Sequence, residues 1–397
     1  MEFAAEQWIG LALRWIHLIC GIAWIGSSFY FMWLDNSLTP AKDGRSDVAG
    51  ELWSVHGGGF YKSQKFLVAP SEMPDELHWF KWEAYFTWIT GFLLLSLIYY
   101  LQAGTNLIDH SKLALQGWQA VAIGISSLVA GWLAYEGLCR VALRKSLMVF
   151  GIAWFAAVSV AALGLTRIFS GQGALIHVGA IIGTAMAANV FFIIIPNQRK
   201  MVRQLLRGET PDATLGLQAK QRSSHNNYMT LPLLFIMISN HFPAVFGSSL
   251  NWLWLMGISL VGVLVRHFYN LRNSGTMRPR YLVAAFVLFC AVAAGVQLSS
   301  PSRGVAAAQA SVTYADVRKV LDRHCMACHA LHPVHPGFTA PPAGVHFEDA
   351  ETVKAKAAKI YERAVISDSM PLGNETQMTA QERQLLGTWI RDGAQIP

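Results

Sequence analysis

The stretch ALIHVGAIIGTAMAANVFFIII, residues 174–195, decides the fold. It holds no aspartate, glutamate, lysine or arginine. At about 1.5 Å of rise per residue, a helix of this length crosses a hydrocarbon layer of about 30 Å. Comparable apolar runs fall at about 8–34, 80–101, 115–135, 145–165, 228–246, 250–270 and 280–299. They predict an all-α fold with an eight-span transmembrane helical bundle over residues 1–300. The 397 residues are 53% hydrophobic and 14% charged, and the mean hydropathy is +0.34. Such a composition excludes an ordinary soluble enzyme. The first run follows MEFAAEQW, which has two glutamates and no basic residue, so it reads as a retained span and not a cleaved signal peptide.

The net charge of +7 raises the question of an anionic partner. Residues 311–397 carry 9 basic and 10 acidic residues, so the excess belongs to the membrane part, with 22 basic against 14 acidic. Sixteen of its lysines and arginines lie in the first, third, fifth and seventh loops; the second, fourth and sixth offer only Lys112 and Arg167. This positive-inside asymmetry predicts cytoplasmic odd loops and both termini outside. It explains the charge without nucleic acid; the partner is the bilayer.

After the last span, residues 301–312 are small, polar and flexible in composition, and predict a linker. Residues 313–397 are charged enough for a small soluble domain, and RHCMACHA, residues 323–330, lies within it. Cys325, Cys328 and His329 form the C-x-x-C-H pattern of covalent haem c attachment: two thiols on one helical turn meet the two vinyl groups, and the adjacent imidazole meets the iron. The competing reading is half of a zinc site, but these are the domain's only cysteines. The domain is expected to be a class I-like cytochrome c, with His329 and Met370 as the metal ligands. Met370 precedes Pro371 in a loop before an apolar helix; Met378, His332, His335 and His346 are the alternatives. Thioether ligation favours reduced iron. Cys20, Cys139 and Cys290 lie in or beside spans and read as small apolar fillers.

Ionisable residues within spans mark functional sites. In the expected orientation His17, His177 and His241 share the outer half of the membrane, where His17 paired with His177 or His241 could hold a haem b. His56, Glu83, His225, Asn226, Asn227, Arg266 and His267 collect towards the inner side, offering a general base, positive charge and amide hydrogen bonds. Each histidine alone is equally well read as a satisfied buried imidazole; the clustering favours function.

Four stretches carry a resemblance: RWIHLICGIAWIGSSFYFMWLDNSL (14–38), WSVHGGGFYKSQKFLVAPSEMPDELHWFKWEAYFTW (53–88), HVGAIIGTAMAANVFFIIIPNQ (177–198) and NNYMTLPLLFIMISNHFP (226–243). They resemble the integral-membrane, cytochrome c-linked urate oxidase (urate hydroxylase) family of bacteria, in which an eight-span domain precedes a cytochrome c domain. The resemblance implies hydroxylation of urate to 5-hydroxyisourate with water as the oxygen source. Electrons would pass to a haem c on Cys325, Cys328 and His329, with Met370 as the distal methionine. From there they would reach a downstream cytochrome c or terminal oxidase of the bacterial inner membrane. The family indicates no role for individual membrane-domain residues. Urate is a planar anion, and the inner groups suit it. Binding there demands a relay across the bilayer, the expectation favoured here, whereas binding outside, beside haem c, demands none. A membrane-anchored electron-transfer module, quinol-linked and without urate chemistry, is the alternative. No span, however, carries the two histidines four turns apart that stacked b haems would need.

Overall fold

The computed structural model describes residues 2–42, 44–70, 72–141, 146–299, 312–367 and 369–397. The expected linker, 301–312, lies outside them but for residue 312, as do Arg144 and Lys145 of the third loop. Helices occupy every expected span: α1 (Glu2–Ser37), α2 (Trp82–Leu95, continued as a π-helix over Ser96–Tyr100), α3 (Gly117–Val141), α4 (Leu147–Ile168), α5 (Gly171–Ala188), α6 (Ile195–Leu206), α7 (Ala213–Ser239), the short α8 (Pro243–Phe246), α9 (Asn251–Asn273) and α10 (Arg280–Ser299). A π-helical stretch, Asn189–Ile194, joins α5 to α6 in one 36-residue rod. Among the described residues six helices are long and apolar enough to cross a membrane: α1, α3, α4, the α5–α6 rod, α9 and α10. The other two expected spans are interrupted: α2 gives way to π-helix, and the run expected at 228–246 breaks after Ser239, between α7 and α8.

Helix α5 is the centre of the bundle. More than half of its most apolar window is buried, against 6% for α1. Its glycines and alanines explain this, since small side chains let helix backbones approach where lipid provides no hydrophobic drive between helices. The surrounding core takes Leu95, Leu128, Trp154, Val158, Leu233 and Leu255 from five neighbouring helices.

The first loop departs from an all-α chain. Val48–His56 (β1) and Gly59–Phe66 (β2) form an antiparallel hairpin, with His56 paired to Gly59. Gly57 and Gly58 make the turn with φ of 57° and 81°, the left-handed pair that a two-residue hairpin loop requires.

The loops sort by parity. Lys65 of the hairpin and Lys220 of α7 both bind Asp35 at the end of α1, so the first and fifth loops share one end. At the other end the second, fourth and sixth loops gather beneath the C-terminal domain. There the His110 N–H donates to the Gly373 carbonyl at 2.9 Å.

That domain contains α11 (Tyr314–His324), α12 (Met326–His329), α13 (Ala350–Ala355), α14 (Ala357–Ile360) and α15 (Ala380–Arg391). Helices α11 and α15 each begin with a complete capping box, Thr313 with Asp316 and Thr379 with Glu382. Val317, Val320 and Leu321, one apolar stripe of α11, enclose a core with Leu386 and Trp389 of α15.

Candidate functional site

The inner polar residues do not form a single site, because α7 presents them on two faces. Residues 222, 225 and 226 follow helical spacing on one face, and 227 points about 200° away from 225.

On the first face, His225 Nδ1 lies 2.8 Å from the Tyr135 hydroxyl, and its ring stacks on Phe150 at 4.2 Å. Asn189 donates to the Tyr135 hydroxyl and to Asn226 Oδ1, both at 2.8 Å. Arg222 donates to Asn189 Oδ1, to Glu136 Oε2 and to Cys139 Sγ. The expectation that Cys139 is an apolar filler is therefore corrected: its sulfur accepts a guanidinium hydrogen bond. Helical spacing carried a signal for this network, with Glu136 and Cys139 three apart on α3 and Arg222, His225 and Asn226 three and four apart on α7.

On the second face, Arg266 of α9 donates from Nε to Asn227 Oδ1 at 2.8 Å, and Asn270 Nδ2 donates to the same oxygen at 3.1 Å. The Arg266 guanidinium lies 3.9 Å above the Phe29 ring of α1. The approach of α9 to α7 is local in cause. At Gly262 a Cβ would stand 3.0 Å from that of Leu231 and 3.2 Å from the Pro232 ring, so a larger residue would hold the helices apart. Asn227 is fully buried and Arg266 is 5% exposed. Three polar atoms of this group, Asn227 Nδ2, Arg266 Nη2 and Asn270 Oδ1, are buried without a hydrogen-bond partner among the described residues. An unpaired buried amide or guanidinium nitrogen costs about 1–3 kcal/mol, and the cluster leaves two donors and one acceptor unused. Phe29 and Asn270 were missed from sequence. Asn270 was detectable four residues after Arg266, whereas Phe29 is one of 21 phenylalanines with nothing local to mark it.

The remaining inner candidates disperse. His267, next to Arg266, turns towards α10: its Nδ1 meets the Tyr228 hydroxyl at 2.8 Å and its ring abuts Tyr281. Glu83, in the first turn of α2, keeps a buried carboxylate oxygen unpartnered. His56 is exposed at the hairpin turn, away from Arg266.

The outer histidines are not brought together as a pair. His17 Nδ1 lies 3.0 Å from both the Thr87 carbonyl and Thr90 Oγ1. The fully buried His177 sets Nδ1 2.7 Å from the Gly173 carbonyl and Nε2 3.2 Å from the Tyr100 hydroxyl. Thr90 and Tyr100 are ten residues apart, on the order of 15 Å along a helix. His241 is exposed in the turn after α7. Each of these two rings rests where a glycine lacks a side chain: a Cβ on Gly91 would fall 2.9 Å from His17 Cε1, and one on Gly124 would fall 2.7 Å from His177 Nε2. A carbonyl on Nδ1 orients an imidazole so that Nε2 faces a ligand.

In the C-terminal domain, Cys325 caps α11 and Cys328 follows one turn later; both are free thiols. Burial pushes the Cys325 thiol up to about 12 and raises Cys328 as well. His329 Nδ1 is 2.8 Å from the Val345 carbonyl, leaving Nε2 as the open nitrogen. Met370 is half-buried against the core that Cys325 also touches, and Arg383 holds its loop by donating to the carbonyls of Met370 and Ala364 at 2.7 Å. Met378 is buried at 4% exposure, His335 pairs with Glu375, His346 lies beside Glu348, and His332 is exposed. The donor set of two thiols, one oriented imidazole and one thioether fits haem c. His324, unremarked in the sequence reading, is buried between Thr376 Oγ1 at 2.7 Å and Glu382 Oε1 at 3.0 Å.

No curated protein and no solved structure matches the chain. A profile described as urate oxidase N-terminal matches residues 4–297, which takes in α1 to α10 and with them both faces of α7, so the chain belongs to the urate oxidase N-terminal family.

Proposed function

We propose that the chain is a membrane-bound, cytochrome c-linked urate oxidase, with eight spans, both termini on the outer side of a bacterial inner membrane, and urate held by Asn227, Arg266 and Asn270. The three unpartnered buried atoms of that cluster carry the reading. Urate is a planar anion edged by alternating N–H and C=O groups. Its carbonyls suit Arg266 Nη2 and Asn227 Nδ2, its N–H suits Asn270 Oδ1, and Phe29 offers an aromatic face. The reaction adds water oxygen to urate and releases two protons and two electrons. His267 follows Arg266 in sequence but faces Tyr228 and Tyr281, so it is not assigned a role in the cluster.

Cys325, Cys328, His329 and Met370 would hold a haem c, which would supply a one-electron acceptor; a downstream cytochrome c or terminal oxidase would reoxidise it. Arg266 lies 15 residues along α9 from Asn251 at the outer end, roughly 23 Å. This separation calls for a membrane-embedded redox group. His17 would offer its Nε2 to a haem b, whereas His177 Nε2 already meets the Tyr100 hydroxyl at 3.2 Å and does not fit the role of an iron ligand.

Addition of urate to the oxidised full chain, followed through the visible haem band, tests the function. Reduction by urate is expected; reduction by quinol but not urate would instead identify an anchored electron-transfer module. Acid–acetone extraction of the full chain should release a non-covalent haem b and leave haem c attached. If only covalent haem is found, the relay is wrong.

A further inference from the structure

We propose that the cavity between the membrane domain and the C-terminal domain is a second binding site for the anionic purine, on the outer face; this rests on the urate reading. The cavity has a volume of about 660 Å³, within the range of small-molecule sites. Both cations of the even-numbered loops, Lys112 and Arg167, line it together with one carboxylate, Asp109, so the lining keeps a net single positive charge on an otherwise cation-poor face. Lys112 is already engaged, donating to the Phe169 carbonyl at 2.8 Å and pairing with Asp109 at 3.3 Å. Arg167 is exposed and has no ion-pair partner among the described residues. Ser170, which caps α5 by accepting from the Gly173 N–H, brings the positive end of that helix to the same wall.

The opposite wall is Ser369, Leu372 and Gly373, the segment that carries Met370. An anion on Arg167 therefore touches both domains and strengthens their docking by as much as docking strengthens its binding. The site is distinct from the Arg266 cluster, which lies towards the other end of the same bundle. Its role is capture from the outer side, where a single focused charge raises the local concentration of an anion.

Equilibrium dialysis of urate against the dithionite-reduced full chain, which cannot accept electrons, provides the test. Two sites per chain are expected, with Arg167→Gln weakening one at least 10-fold and Arg266→Gln abolishing the other. Ser369→Tyr, which fills the cavity from the opposite domain, should remove the same site as Arg167→Gln, and the haem spectrum reports that both variants fold. Two undiminished sites in Arg167→Gln and Ser369→Tyr would overturn the proposal. A single wild-type site lost in Arg266→Gln alone would overturn it too, leaving the Arg266 pocket intact. A single site lost in Arg167→Gln alone would uphold the seam cavity and refute the Arg266 pocket.

Discussion

Arg266 shows how much a buried residue depends on partners that its own sequence neighbourhood does not name. Its Nε is satisfied by Asn227 and its Nη2 is not, which leaves one donor for the ligand proposed above. Arg266→Gln keeps an amide but removes the charge. Hydrogen bonds to charged groups contribute about 1.5–3 kcal/mol, so kcat/KM for urate-dependent haem reduction should fall roughly 10- to 150-fold. Dithionite should reduce the haem of this variant as it does in the wild type. Arg266, Asn227 and His267 were legible as chemistry because polar residues inside apolar runs are conspicuous. Their partition was not legible, since one helix turns adjacent residues to different neighbours.

At the scale of the element, α7 and α15 contrast. Helix α7 is polar on two faces and turns each to a different partner, α3 and the π-helical stretch after α5 on one side and α9 on the other. Its hydropathy therefore understates its place inside the bundle, and the apolar pattern alone blurs its ends. Helix α15 is announced locally by the capping pair Thr379 and Glu382, and its identity needs no tertiary information. Tertiary structure adds His324 to that cap. Burial acts to raise the Glu382 carboxyl, but the bonds from the Thr379 backbone and from His324 outweigh it and bring the group to about 2. A carboxyl lowered in the folded state stabilises above its ordinary value, near 4.5, and loses that contribution as pH falls towards 2. In acid titration monitored by far-ultraviolet circular dichroism, the C-terminal domain should weaken progressively between these limits. Glu382→Gln should be less stable at neutral pH and show a shallower acid dependence. The hairpin β1–β2 belongs to the same scale: its Gly57–Gly58 turn is visible in HGGG, yet the expectation of an all-α fold left no place for a two-stranded structure and grouped His56 with inner residues, from which the hairpin turn holds it apart.

At the scale of the molecule, the C-terminal domain is seated on the bundle by backbone contacts. Gly373, at φ of 56°, sets its Cα so close to the Ile108 carbonyl that a Cβ would lie 2.5 Å from it. Gly373→Val meets that rigid oxygen and a disfavoured φ together. Urate-dependent reduction of haem c should slow at least about 10-fold, equivalent to about 1.4 kcal/mol in the docking or transfer step. A small soluble reductant should reduce the haem at the wild-type rate, and equal slowing with both reductants would mean that the haem domain itself is damaged.

The amino-acid sequence by itself determined what is local: the apolar runs and their helices, the parity of basic loops, the capping boxes, and the two thiols and imidazole one turn apart. These follow from side-chain chemistry and from periodicities of a few residues. Tertiary structure alone decided which polar faces of α7 meet which helices, that His17 and His177 lie on different levels, that Phe29 underlies Arg266, and that the second, fourth and sixth loops and the Met370 segment enclose one cavity. The physical reason is that in an apolar bundle most surfaces are chemically alike. Close packing at small residues such as Gly262, and the need to pair each buried polar atom, then choose among neighbours far apart in the chain.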